Sequence, residues 1–128
     1  MARKHPKGKR VARPYKQLPN EVIQSEQFKK LSGNAMKVLM HLLAQYRGSN
    51  NGDLSAPKSA AADYGLSVNT WEKAKRELLQ ARFIEISRVG ETRKCHLYAL
   101  TFFAIDECGS KLDISATHTY SDDWKTAG

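Results

Sequence analysis

The sequence predicts a small α+β fold, mainly α, built from three core helices and one β-hairpin. Three observations predict it. Apolar residues recur at helical spacing from Ala35 to Tyr46 and again from Trp71 to Leu79. The break Gly65, Leu66, Ser67 separates the second run from a short small-residue segment. β-prone residues then run from Phe83 to Val89 and return from Cys95 to Leu100.

Taken in order, residues 1–17 form a basic arm. Arg3, Lys4, Lys7, Lys9, Arg10, Arg13 and Lys16 occur there with no acid among them, and Pro6, Gly8 and Pro14 deny regular structure. Self-repulsion and low hydrophobicity predict disorder in the free arm, and its charge suits phosphates or a minor groove. The arm lacks an apolar run, so it is not expected to be a secretory signal. Residues 18–105 form the domain. Pro19 and Ser25 each open a short helical turn. The main amphipathic helix runs from Asn34 to Arg47 after Ser32 and Gly33, and Gly48 is expected to end it. Asp53 and Leu54 are expected to form a short strand. The Asn50, Asn51, Asp53 cluster lacks the spacing and the later Glu of a calcium loop.

Ser55 is expected to cap a helix over 57–63, with Pro57 in its first turn. Ala60, Ala61 and Ala62 have no bulk and let a second helix cross closely. Gly65 supplies a left-handed turn, Leu66 fills the angle, and Ser67 caps the next helix over 68–81. In that helix Trp71, Ala74, Leu78 and Leu79 face inward, and Trp71 is expected to pack beneath the helix rather than stack on a base. Asn69, Thr70, Lys73, Arg76 and Gln80 face elsewhere. A hairpin follows, with its turn expected at Gly90 and Glu91. Phe102, Phe103 and Ile105 are expected to dock on the domain or on a second copy. Residues 106–128 read as a mostly irregular acidic tail, in which Trp124 either anchors a partner or lies back on the surface.

Helix, tight turn, capped helix and basic hairpin is the order by which a winged helix-turn-helix sets one helix in the major groove and a wing beside it. On this reading Ser67, Asn69, Thr70 and Lys73 read bases. Asn pairs with adenine, Lys donates to guanine, and Thr offers a hydroxyl and a methyl. Lys58, Lys75, Arg76, Arg82, Arg88, Arg93 and Lys94 suit the DNA backbone. The bland alternative is a solvated face with charge pairs such as Glu72 with Arg76.

Charge agrees with a polyanionic partner. The chain carries 21 Lys and Arg against 13 Asp and Glu, a net charge of +8. Through Thr101 the balance is +11, and the remaining residues carry −3. Cys95 and Cys108 have no pairing motif and read as free thiols of a reducing cytoplasm. Cys95 and His96 lack a second pair at ligand spacing, so no metal is expected. Asp106 and Glu107 are adjacent and have no accompanying nucleophile or base. No catalytic residue, cofactor or membrane span is expected.

Over about residues 32–101 the chain resembles the winged helix-turn-helix superfamily. The resemblance lies in Leu54 and Ser55, Ala60 and Ala61, Gly65 to Ser67, Thr70 and Trp71, Lys73 and Ala74, Glu77 and Leu78, Phe83 and Ile84, Arg88, and Tyr98 to Thr101. It is similar in particular to small bacterial phage- and plasmid-type proteins and to replication-initiator modules. Trp71 departs from the smaller aliphatic residue usual there, and the arm and tail lie outside the common pattern. The resemblance implies a three-helix core with a wing, a DNA ligand, and Ser67, Asn69, Thr70, Lys73 and Arg76 on or near the reading face. The function expected is therefore a cytoplasmic, nucleoid-associated binder of specific double-stranded DNA, a repressor or origin binder of a mobile element. A homodimer is compatible with it. The rival is a protein-binding adaptor or inhibitor of a nucleic-acid enzyme, engaging its partner through the C-terminal tail.

Overall fold

The computed structural model describes residues 13–126. Two single-turn helices come first, α1 (Asn20–Ile23) and α2 (Glu26–Lys29), with the Ser25 hydroxyl accepting the Phe28 N–H at 3.1 Å to cap the second. The main helix α3 (Gly33–Gln45) starts from Ser32, whose hydroxyl accepts the Ala35 N–H at 3.1 Å. Ala35, Val38, Leu39, Leu42 and Leu43 are buried along one stripe, as helical spacing requires.

The helix stops at Gln45, short of the expected Arg47, and Gly48 does not end it. Tyr46 turns extended, with ψ 130°. The Asn50 amide then donates to the Gln45 carbonyl at 2.9 Å while its Oδ1 accepts the Arg47 N–H at 2.7 Å. A polar side chain thus satisfies the last carbonyl of this helix. The Gln45 amide in turn pairs with the Ser55 backbone, donating to its carbonyl at 2.7 Å and accepting its N–H at 3.0 Å.

Ser55 is therefore not a helix cap. The segment expected as a helix over 57–63 is a 3₁₀ helix, Lys58–Tyr64, with Pro57 just outside it. So short a run gains little from α-helical propagation, and the tighter coil turns both Ala60 and Ala61 into the core. Gly65 ends it at φ +71°, where a Cβ would be strained. Leu66 is half-buried against the core. Helix α4 (Val68–Gln80) follows, and the Ser67 hydroxyl accepts the Thr70 N–H at 3.1 Å. Trp71 lies fully buried beneath α4, its indole N–H donating to the Ala56 carbonyl at 3.1 Å.

Strands β1 (Ile84–Arg88) and β2 (Leu97–Leu100) pair antiparallel, Ile84 opposite Leu100 and Ile86 opposite Tyr98. The register shifts between Ile86 and Arg88. Ser87 in this bulge is buried, and its hydroxyl donates to the Gly52 carbonyl at 2.6 Å. The short strand expected at 53–54 is a single bridge from Leu54 to Tyr98. The hairpin turn is Thr92 and Arg93, not Gly90 and Glu91, because Glu91 and Lys94 exchange both backbone hydrogen bonds at 2.9 Å. Cys95 falls in the tip region before β2, not in the strand. Gly90 is needed for another reason: a Cβ there would meet the Lys94 carbonyl oxygen at 2.6 Å.

The tail returns to the domain. Trp124 is 2% exposed and stacks on Phe83, with ring centroids 5.7 Å apart and planes 7° apart. Lys125 bridges Glu21 at 2.8 Å and Asp122 at 3.2 Å. Phe102 and Ile105 are buried, as expected of docking residues. The result is a small α+β fold, mainly helical, with a two-stranded antiparallel sheet.

Candidate nucleic-acid interface

Helix α4 carries two stripes. At about 100° per residue, Asn69, Lys73, Arg76 and Gln80 fall within roughly 60° of one another. Trp71, Ala74 and Leu78 fall on the opposite side and are buried. All four polar residues are exposed, and their side chains have no hydrogen-bond partner among the described residues. Gln80, one further turn on from Arg76, joins the same stripe, a position to which the sequence reading assigns no role.

The acids of α4 explain why the stripe stays cationic. Glu77 turns to the start of α3, where its two oxygens accept the Ser32 N–H at 2.8 Å and the Ser32 hydroxyl at 2.7 Å. Glu72 pairs with Lys75 at 2.9 Å rather than with Arg76. Lys75 also donates to the Ala56 carbonyl at 2.9 Å and lies 5.8 Å from the Tyr98 ring centre. With its side chain only 11% exposed, Lys75 is an internal cation rather than the backbone contact expected of it. Burial first, then Glu72 and Cys95, push the Tyr98 phenol up to about 12, so it stays neutral beside this pair.

Ser67 and Thr70 lie off this stripe at the N-terminal end of α4, and their hydroxyls are hydrogen-bonded to each other at 2.9 Å. That bond, with the cap, orients the first turn of α4 and leaves Asn69 and Lys73 as the unbound polar groups there. Lys58, Arg93 and Lys94 are exposed and line a cleft of about 560 Å³ between the 3₁₀ helix, α4 and the hairpin tip. Glu91 is an exposed carboxylate of the same tip. His96 braces the hairpin, its Nδ1 accepting the Gly90 N–H at 2.7 Å. The sequence marked His96 only as a metal question, since a ring nitrogen accepting from a distant glycine leaves no pattern.

Two further cations expected at the DNA backbone make contacts within the chain. Arg88 is not at the tip. It lies in β1 opposite Leu97, its guanidinium donates to the Cys95 carbonyl at 3.0 Å, and its Nε is buried without a partner among the described residues. Arg82 follows α4 at φ +61° and donates to the Thr126 hydroxyl at 3.1 Å, remaining exposed. Of the basic arm, Arg13 and Lys16 are exposed, while Arg3, Lys4, Lys7, Lys9 and Arg10 lie outside the described residues. Lys16 donates to the Tyr46 carbonyl.

His41 joins α3 to the 3₁₀ helix and α4. Its Nδ1 lies 2.9 Å from the Tyr64 hydroxyl, and its ring meets Tyr64 and Trp71 edge-on at 5.3 and 5.5 Å. Burial holds its pKa below the usual 6.5, with Asp63 opposing. No helix among the described residues is long and apolar enough to cross a membrane. Comparison with known proteins finds no matching family, no similar curated protein and no similar solved structure.

Proposed function

We propose that this chain is a winged helix-turn-helix protein that binds specific double-stranded DNA, with α4 as the recognition helix and the hairpin as the wing. The elements α3, Leu54, 3₁₀ helix, α4, β1 and β2 follow one another in the chain order of that architecture. The observation that carries the reading is the α4 stripe of Asn69, Lys73, Arg76 and Gln80. It is exposed, without internal partners among the described residues, and backed by a fully buried Trp71. Asn, Lys and Gln donors there match base edges, and Arg76, Lys58, Arg93 and Lys94 match the flanking phosphates. Repression and origin binding at a mobile element both require such occupation of one duplex site. The adaptor reading finds no exposed anchor in Trp124, which stacks on Phe83.

The test is selection from random duplexes followed by salt series on the winner. Lys73→Ala should weaken the selected duplex by about 1–3 kcal/mol and relax its base preference. Lys94→Ala should weaken all duplexes alike and lower the salt slope by about 1. If no sequence is enriched, or if Lys73→Ala leaves the selected duplex unaffected, the reading is wrong.

A further inference from the structure

At the end of the hairpin away from its tip, a second cleft of about 420 Å³ opens beside Tyr46 and Phe103. The two rings stack with centroids 4.7 Å apart and planes 13° apart, and both residues are only half-buried. Tyr15, 76% exposed, lines the same cleft with Lys16 and Arg47. No carboxylate is among its lining residues. Arg47 is exposed, and its side chain has no hydrogen-bond partner among the described residues. Tyr46 and Phe103 pack partly against the core, but neither the fold nor the duplex interface accounts for the exposed Tyr15 gathered beside them with two cations. Core packing takes up part of Tyr46 and Phe103 but leaves Tyr15 open, and the proposed duplex contacts Lys58, Lys73, Arg93 and Lys94 line other surfaces.

We infer that this cleft binds single-stranded nucleic acid, an unpaired base stacking on the Tyr46–Phe103 and Tyr15 aromatics while Lys16 and Arg47 hold the adjoining phosphates. Three features favour this ligand. Its size admits one base with its sugar. An aromatic platform needs a free π-face, which an unpaired base offers and a base-paired stack hides. Cations with no lining carboxylate favour the phosphate chain. An acidic peptide would engage Lys16 and Arg47 but leave the rings without a partner. The inference goes beyond the duplex reading, and such a site would let the protein hold opened DNA beside a duplex it occupies.

The test is fluorescence anisotropy with the full chain, a labelled oligothymidylate of about eight nucleotides, and a duplex of random sequence. Tyr15→Ala and Phe103→Leu should each weaken the oligothymidylate by about tenfold while leaving duplex affinity unchanged. Arg47→Ala should weaken it in a salt-dependent manner. Lys73→Ala should leave it unchanged, which separates this cleft from α4. Tyr15 is exposed, so its replacement does not threaten folding. The inference is overturned if the aromatic variants bind oligothymidylate as the parent does. It is equally overturned if an oligoglutamate peptide displaces the strand with equal potency, since the cleft would then be an acidic-peptide site.

Discussion

Asn51 and His41 show what single residues contribute and how unevenly a sequence reveals it. Asn51 reads as one polar residue of a turn, yet it is fully buried. Its amide donates to the carbonyls of Leu100, Phe103 and Ala104, and its Oδ1 accepts the Leu100 N–H at 2.8 Å. Every one of those partners lies some fifty residues away, so no local spacing announces the role. Trp71 is the opposite case: its place three residues before Ala74 and seven before Leu78 fixes it on the buried face by helical period alone. Lys75 resisted reading because its charge resembles that of Lys73, and only the Ala56 carbonyl and Glu72 decide that it points inward. His41 yields a pH prediction. Its folded pKa lies below 6.5, so the unfolded chain takes up this proton first as pH falls. Its contribution is intact above pH 6.5 and is lost as pH drops through that value towards the folded pKa. Thermal melts at pH 7.5 and about pH 5.5 should show a smaller acid-induced loss in His41→Gln than in the parent. Equal losses would show that the imidazole is not the group that titrates.

At the scale of elements, caps and breaks were the most readable features and the hairpin tip the least. Ser25, Ser32 and Ser67 all cap helices as their residue type predicts, each hydroxyl accepting an N–H three residues on. The end of α3 departs from the pattern its sequence suggests because Gly48 is the conventional stop, whereas Asn50 bonds across the end from five residues beyond Gln45. The end of α4 is also unconventional. The Arg82 N–H bonds the Leu79 carbonyl and the Phe83 N–H bonds the Leu78 carbonyl, both at 3.1 Å, which places Arg82 in the left-handed position normally given to glycine. Arg82→Gly should therefore raise stability by about 1 kcal/mol in urea titrations, offset in part by the lost contact with Thr126. The same variant should weaken duplex binding if Arg82 meets phosphate. A variant less stable than the parent would mean that the Thr126 contact outweighs the backbone strain. In the hairpin, Gly90 suggested a turn, but the backbone pairing of Glu91 with Lys94 shifts it two residues on, to Thr92 and Arg93.

The last described residues are tied back to the domain by contacts that no periodicity encodes. Trp124 stacks on Phe83, Lys125 bridges to Glu21 in α1, and the Asp122 N–H bonds the Thr101 carbonyl at 2.8 Å. Residues 106–122 carry few apolar side chains, which is why they read as a loose tail. They follow the domain through backbone bonds such as Asp113 to Ser87 and Thr117 to Ile105 instead. This closure leaves the exposed stripe of α4, with Lys58 on one side and Arg93 and Lys94 at the hairpin tip, as the proposed duplex face. Amide chemical-shift mapping during titration with the selected duplex tests that assignment most directly. The largest shifts are expected at Asn69, Lys73, Arg76 and Gln80 and at residues 91–94, with Tyr15, Arg47 and Phe103 unmoved by duplex. Shifts that spare α4 while the duplex is bound would contradict it.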